Sequence, residues 1–314
     1  MAQPRRHSGP GHSSRRTSSS RRTGQAHRRR ASGRHRLGWL ASVLVALLIV
    51  LVVGAGAIAI VLSLFSSGTR GSWGESSVTV QDALDPIYVC PYDWSNLYLN
   101  SAGRYAYTVN GEVRSRTGVD VSVHNGTIDW TAVAADGISF AYVRVGYRGS
   151  STGTVAVDDN FRANLSGAQA AGLDVGVYFY SQAISEDEAR EEADFVIAQL
   201  AGTKLKLPVV FDLESSGGDG RPDSLSSDEV TAVAKAFCER IESAGYSSMV
   251  YGSAYDLGRY DLTSISGNLW VAQYDTTTPT SDFRYVMWQY ATDGSVNGID
   301  DGVDMDLDLS PALS

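Results

Sequence analysis

The stretch Leu207-Pro208-Val209-Val210-Phe211-Asp212-Leu213-Glu214 sets an apolar run directly before two carboxylates. Read as a strand, the run places Asp212 and Glu214 on one face at its end, because side chains two apart point the same way. Their Cα atoms then stand roughly 6 to 7 Å apart at about 3.3 Å rise per residue, and each charge disfavours ionisation of the other. Such a pair suits a general acid beside an anionic neighbour, the arrangement that breaking a glycosidic bond requires. The competing reading of the segment is a helix N-cap Asp followed by a solvated Glu.

Outward from this stretch, short apolar segments alternate with helical patterns, the signature of βα units and a largely parallel sheet. Strands are expected at 118–122, 138–145, 173–180, 207–213, 248–252, 268–274 and 284–290, with a short eighth at 303–307. Ser185-Glu186-Asp187-Glu188 and Ser226-Ser227-Asp228-Glu229 have capping-box spacing, and both precede apolar stripes with a 3.6-residue period. Eight strands suggest a barrel, but the last three have little helix between them. Catalytic groups on a barrel come from the carboxyl ends of several strands. Asp120 in the first strand and Asp304 in the last are therefore candidates alongside Asp212 and Glu214. Tyr178, Tyr180, Trp270 and Tyr274 fall at alternating or terminal strand positions, where they either stack on sugar rings or fill the barrel core.

The rest of the 314-residue chain is sharply uneven. Residues 1–36 contain eleven Arg and no Asp or Glu, a composition that cannot bury apolar area and predicts a disordered tail. No charged residue occurs in 37–69, and the apolar stretch 37–65 exceeds the roughly 20 residues that cross a bilayer as a helix. It is twice the length of a signal-peptide core, so an uncleaved anchor is expected, with the basic tail cytoplasmic and the remainder outside the membrane. Residues 66–116 read as a stalk with short hairpins. Tyr92, Trp94, Tyr98, Tyr105 and Tyr107 make the stalk too aromatic for disorder, and Asn110-Gly111 is a turn signal.

The formal net charge of -9 includes that basic tail, so the other residues sum to about -20. An acidic exposed part argues against electrostatic capture of a polyanion, and the tail lacks aromatics to stack bases, so nucleic acid is not an expected partner. Cys90 and Cys238 are the only cysteines, either a disulfide or, for Cys238 on an apolar stripe, a buried thiol. Neither has metal-ligand spacing, and acid catalysis by carboxylates needs no cofactor.

Six motifs occur in order: Gly118-Val119-Asp120-Val121-Ser122, Gly126-Thr127-Ile128-Asp129-Trp130, Asp212-Leu213-Glu214, Trp270-Val271-Ala272-Gln273-Tyr274, Trp288-Gln289-Tyr290 and Val303-Asp304. Together they resemble glycoside hydrolase family 25, the bacterial and phage muramidases. The resemblance covers 117–314. It implies a flattened α/β barrel of five βα units followed by about three barer strands, acting on the β-1,4 bond between N-acetylmuramic acid and N-acetylglucosamine in peptidoglycan. It also implies Glu214 as general acid with Asp212 beside it, and Asp120 and Asp304 as the other acidic members of the site. The second half of the reaction stays open between help from the sugar's own 2-acetamido group, an Asp nucleophile, and a water held by Asp120 or Asp304. Two other functions compete: a non-catalytic wall-binding module, and a chitinase-like endo-N-acetylglucosaminidase.

Overall fold

The computed structural model describes residues 89–313, Asp219 and Ser266 excepted. The basic tail, the expected membrane helix and the first part of the stalk lie outside the described residues. Among those described, no helix is long and apolar enough to cross a membrane.

The chain first forms a small antiparallel sheet of β1 (Leu97–Leu99), β2 (Tyr105–Val109) and β3 (Glu112–Val113). The β2–β3 hairpin turns on Asn110 and Gly111, both with positive φ (53° and 82°), the backbone that a two-residue hairpin demands. Five βα units follow: β4 (Arg116–Val121) with α1 (Trp130–Ala135), β5 (Phe140–Arg148) with α2 (Phe161–Ala170), β7 (Asp174–Tyr180) with α3 (Glu186–Leu200), β8 (Val209–Asp212) with α4 (Ser227–Ser243), and β9 (Ser248–Ser253) with the one-turn α5 (Ala254–Leu257). A short β6 (Val155–Val157), absent from the sequence expectations, pairs antiparallel with β5. The strands β10 (Asn268–Ala272), β11 (Met287–Gly294) and β12 (Val303–Asp308) follow with no α-helix between them.

Strands β4, β5 and β7 to β12 close into an eight-stranded barrel, because β4 pairs parallel with β5 on one side and antiparallel with β12 on the other. Ser185 caps α3 through the Glu188 amide, and Ser226 with Glu229 forms a capping box at α4, as their spacing predicts. The stripe of α4 is buried against the strands and includes Cys238. Cys90 and Cys238 are both free thiols, so no clip joins them.

Inside the barrel, Phe140, Tyr142, Met249, Trp270 and Met287 form a buried floor. Glycines opposite make room for them: a Cβ at Gly118 would lie 2.2 Å from the Phe140 ring, and one at Gly176 2.3 Å from the Tyr142 ring. This large-against-small filling makes the barrel a packed core that is open only above the floor. At the far end, Arg116 bonds Asp308 at 2.6 Å and Asp174 at 2.7 Å.

The small sheet takes the place of missing helices. With no helix to cover β10 to β12, the aromatics of the N-terminal segment pack there: Tyr105 lies 5.0 Å from Trp288 and 5.1 Å from Tyr290 between ring centroids. The Tyr92 hydroxyl donates to the Tyr285 carbonyl at 2.8 Å. Arg104, buried, pairs with Asp136 after α1 and donates to the Ser295 carbonyl.

Candidate active site

The carboxyl ends of the parallel strands surround a cavity of about 260 Å³. All eight residues singled out in the sequence line it: Asp120, Tyr178, Tyr180, Asp212, Glu214, Trp270, Tyr274 and Asp304. Strand register explains the convergence. Asp304 sits directly opposite Asp120 across the β12–β4 pair, and Asp212 is level with Tyr180 on β7 and Tyr251 on β9.

Asp212 is the last residue of its strand, one earlier than expected, and Glu214 lies just beyond it. The intervening Leu213 is fully buried in the outer core, which fixes the alternation and turns both acids toward the cavity. Asp212 is 5% exposed and Glu214 less deeply set. Burial first, then the charge of Glu214, pushes the Asp212 carboxyl well above the usual range. Burial and the charge of Asp256 push Glu214 up as well. The two carboxyls are close enough to hydrogen-bond, so the pair retains a proton at pH values where isolated carboxyls are ionised.

Asp120 is 6% exposed, and burial followed by the Asp304 charge raises it well above its ordinary value. Gln289 opposes this by donating Nε2–H to Asp120 Oδ2 at 2.5 Å. The amide cannot turn round, because its Oε1 accepts from the Tyr251 hydroxyl at 2.7 Å and from the Tyr274 hydroxyl. Asp304 is raised to about 6 by burial and then by Glu214.

Three lining residues escaped the sequence reading: Arg144, Tyr251 and Gln289. Each carried a signal. Arg144 is the first charge in the apolar run of β5, on the face of Tyr142, and a β-bulge after it interrupts the pairing with β7. Tyr251 shares the alternation of Met249, and Gln289 lies within a quoted motif. Arg144 is bonded through Nε to buried Asp158 at 2.9 Å, and its charge also reaches Asp212, where it opposes the rise of that carboxyl. Asp256, another unassigned acid, accepts from the Ser215 amide at 2.9 Å and thereby holds the segment that follows Glu214.

Of the four aromatics, Tyr274 is 40% exposed and Tyr178 and Tyr180 are half-buried. Of the two roles open to Trp270, stacking or core, its burial fits the core. It is 2% exposed, with Tyr142 and Tyr251 each 4.8 Å away between ring centroids, so neither indole face is open to a sugar. Among the described residues no cluster of His, Cys, Asp and Glu has the form of a metal site.

The chain is 27% identical over 191 residues to the autolytic lysozyme of Clostridium acetobutylicum, covering 60% of this chain and 54% of that protein. It is 27% identical over 198 residues to Lysozyme M1 of Streptomyces globisporus, covering 60% and 65%. The chain thus spans less than two thirds of either relative. Among solved structures, the bacterial lysozyme from Streptomyces coelicolor superposes with a TM-score of 0.53 at 26% identity, over 61% of this chain and 90% of that one. A family 25 glycosyl hydrolase from Bacillus anthracis shares the fold at 21% identity, with a TM-score of 0.54 over 67% and 94%. Residues 119–299 match the glycosyl hydrolases family 25, a span that holds Asp120, Asp212 and Glu214 and stops just short of Asp304. Since that span is more than half of the chain, and the geometry gathers its acids in one cavity, the chain belongs to glycosyl hydrolases family 25.

Proposed function

We propose that the protein hydrolyses the β-1,4 bond between N-acetylmuramic acid and N-acetylglucosamine in peptidoglycan. The observation that carries this reading is the Asp212–Glu214 pair, a buried and a half-buried carboxyl that together favour retaining a proton, at the mouth of a family 25 barrel. Glu214, the more exposed of the two, delivers that proton to the glycosidic oxygen. Positive charge growing on the sugar ring is met by its own 2-acetamido group, oriented by Asp212, and the anomeric configuration is retained. Asp120 and Asp304 add negative potential around the reacting carbon, and Tyr180 and Tyr274 flank the sugar.

The cavity lies below the roughly 300–1,000 Å³ typical of small-molecule sites, which fits one sugar unit in the depth while the rest of the strand crosses the open rim. The expected membrane helix at 37–65 would hold this mouth on the outer side of the cell membrane, within reach of the wall. The test is the full-length chain carrying Glu214→Gln. It is expected to fold and bind peptidoglycan while release of reducing ends falls at least about 10³-fold. Turnover near that of the wild type would remove Glu214 from the role of acid.

A further inference from the structure

Asp306 is a carboxyl inside the barrel for which the mechanism above has no use. It lies two residues beyond Asp304 on the same face of β12, opposite Gly118 of β4 and Gln289 of β11, and is 0% exposed. Neither oxygen has a partner at full hydrogen-bonding geometry, and the one N–H that favours its charged form is the Trp270 indole. No cation is at hand either, since Arg116 is committed to Asp308 and Asp174, and Arg144 to Asp158.

The titratable and charged groups around it are Asp120 and Arg116 from β4, Tyr142 from β5, Tyr290 from β11, and Asp304 and Asp308 from its own strand; the Trp270 indole of β10 also lies against it. Burial and the charges of Asp120 and Asp304 outweigh the single indole N–H, and with no counter-ion an ionised carboxylate is too costly in such a place, so the group keeps its proton. As a carboxylic acid it has one O–H to give. Asp120 is the acceptor within hydrogen-bonding reach.

We propose that Asp306 is a positioning residue, a neutral carboxylic acid whose O–H joins the Gln289 amide in clamping Asp120 as an oriented anion above the barrel floor. The proposal rests on the reading of Asp120 as an anionic member of the catalytic set. Asp306 itself touches no substrate. What the site requires at this position is a neutral donor, not a negative charge, and asparagine meets that requirement where leucine does not.

The experiment uses the full-length chain, purified peptidoglycan and two variants. Asp306→Asn keeps a donor toward Asp120, and kcat is expected within about threefold of wild type with the acid limb of the pH profile unmoved. Asp306→Leu removes the donor. Its kcat is expected to fall about 100-fold with KM little changed, and the acid limb to move to higher pH, because the Asp120 anion has lost a hydrogen bond. An infrared difference between wild type and Asp306→Asn at neutral pH is expected to show the carbonyl stretch of one protonated carboxylic acid in the wild type.

Absence of that band, or an acid limb shifted to lower pH in Asp306→Asn, would mean an ionised Asp306 and overturn the proposal. So would losses of equal size in two folded variants. If the leucine variant does not fold, the asparagine profile and the infrared band decide. If wild type has no wall-lytic activity, the functional reading fails, and the band alone decides the state of Asp306.

Discussion

Burial is the first cause, and neighbouring carboxylates the next, of the raised proton affinity of every acid in the cavity. Asp304, the one raised to about 6, makes the consequence measurable. Its folded value lies above the roughly 3.9 of an unfolded Asp, so the fold binds its proton more tightly than the unfolded chain does. Stability from this group is complete below about pH 4 and is lost as pH rises through about 6. Asp304→Asn is therefore expected to raise the melting temperature increasingly from pH 4 to 6 and by a constant amount above that. The gain at the plateau is on the order of 1–2 kcal/mol after allowance for partial exposure. A gain that shrinks with rising pH would refute the assignment. Activity is expected to fall in the same variant, the usual exchange between stability and a strained acidic site.

At the scale of elements, the unhelical flank of the barrel explains the aromatic N-terminal segment. Strands β10 to β12 have no helices of their own, and Tyr105 supplies apolar cover against Trp288 and Tyr290. Tyr105→Ala is expected to destabilise the protein by about 2–4 kcal/mol in chemical denaturation, by loss of ring contacts and the cavity left behind. KM should stay within about twofold, since the ring is on the outer face of the barrel. A change below about 0.5 kcal/mol would show the sheet to be an appendage.

Much of this layer was legible in the sequence. Capping spacing located α3 and α4, Asn110-Gly111 located the hairpin, and alternation located eight strands within a few residues. What stayed hidden depends on closure. A barrel reading brings the last strand beside the first but does not give the register that sets Asp304 opposite Asp120 and Asp306 beneath it. For the same reason the sequence left Trp270 open between stacking and core, since a period of two tells inside from outside but not floor from mouth.

At the scale of the whole molecule, the sequence divides into a basic tail, an apolar stretch and an acidic remainder, and the described residues belong to the last. If 37–65 spans the membrane, the full-length chain fractionates with membranes and resists extraction by alkaline carbonate. Release into the soluble phase would contradict the anchor. On the proposed function, a site shaped by carboxylates and tyrosines would hold glycan by hydrogen bonds and stacking, not by net charge. The central claim is that the paired acids Asp212 and Glu214 cut the glycan strand of peptidoglycan. It is tested most directly by mass spectrometry of the fragments released from purified peptidoglycan by the full-length chain, beside its Glu214→Gln variant. Fragments with N-acetylmuramic acid at the new reducing end, from the wild type alone, are the predicted result. N-acetylglucosamine at that end, or equal release by both proteins, would contradict it.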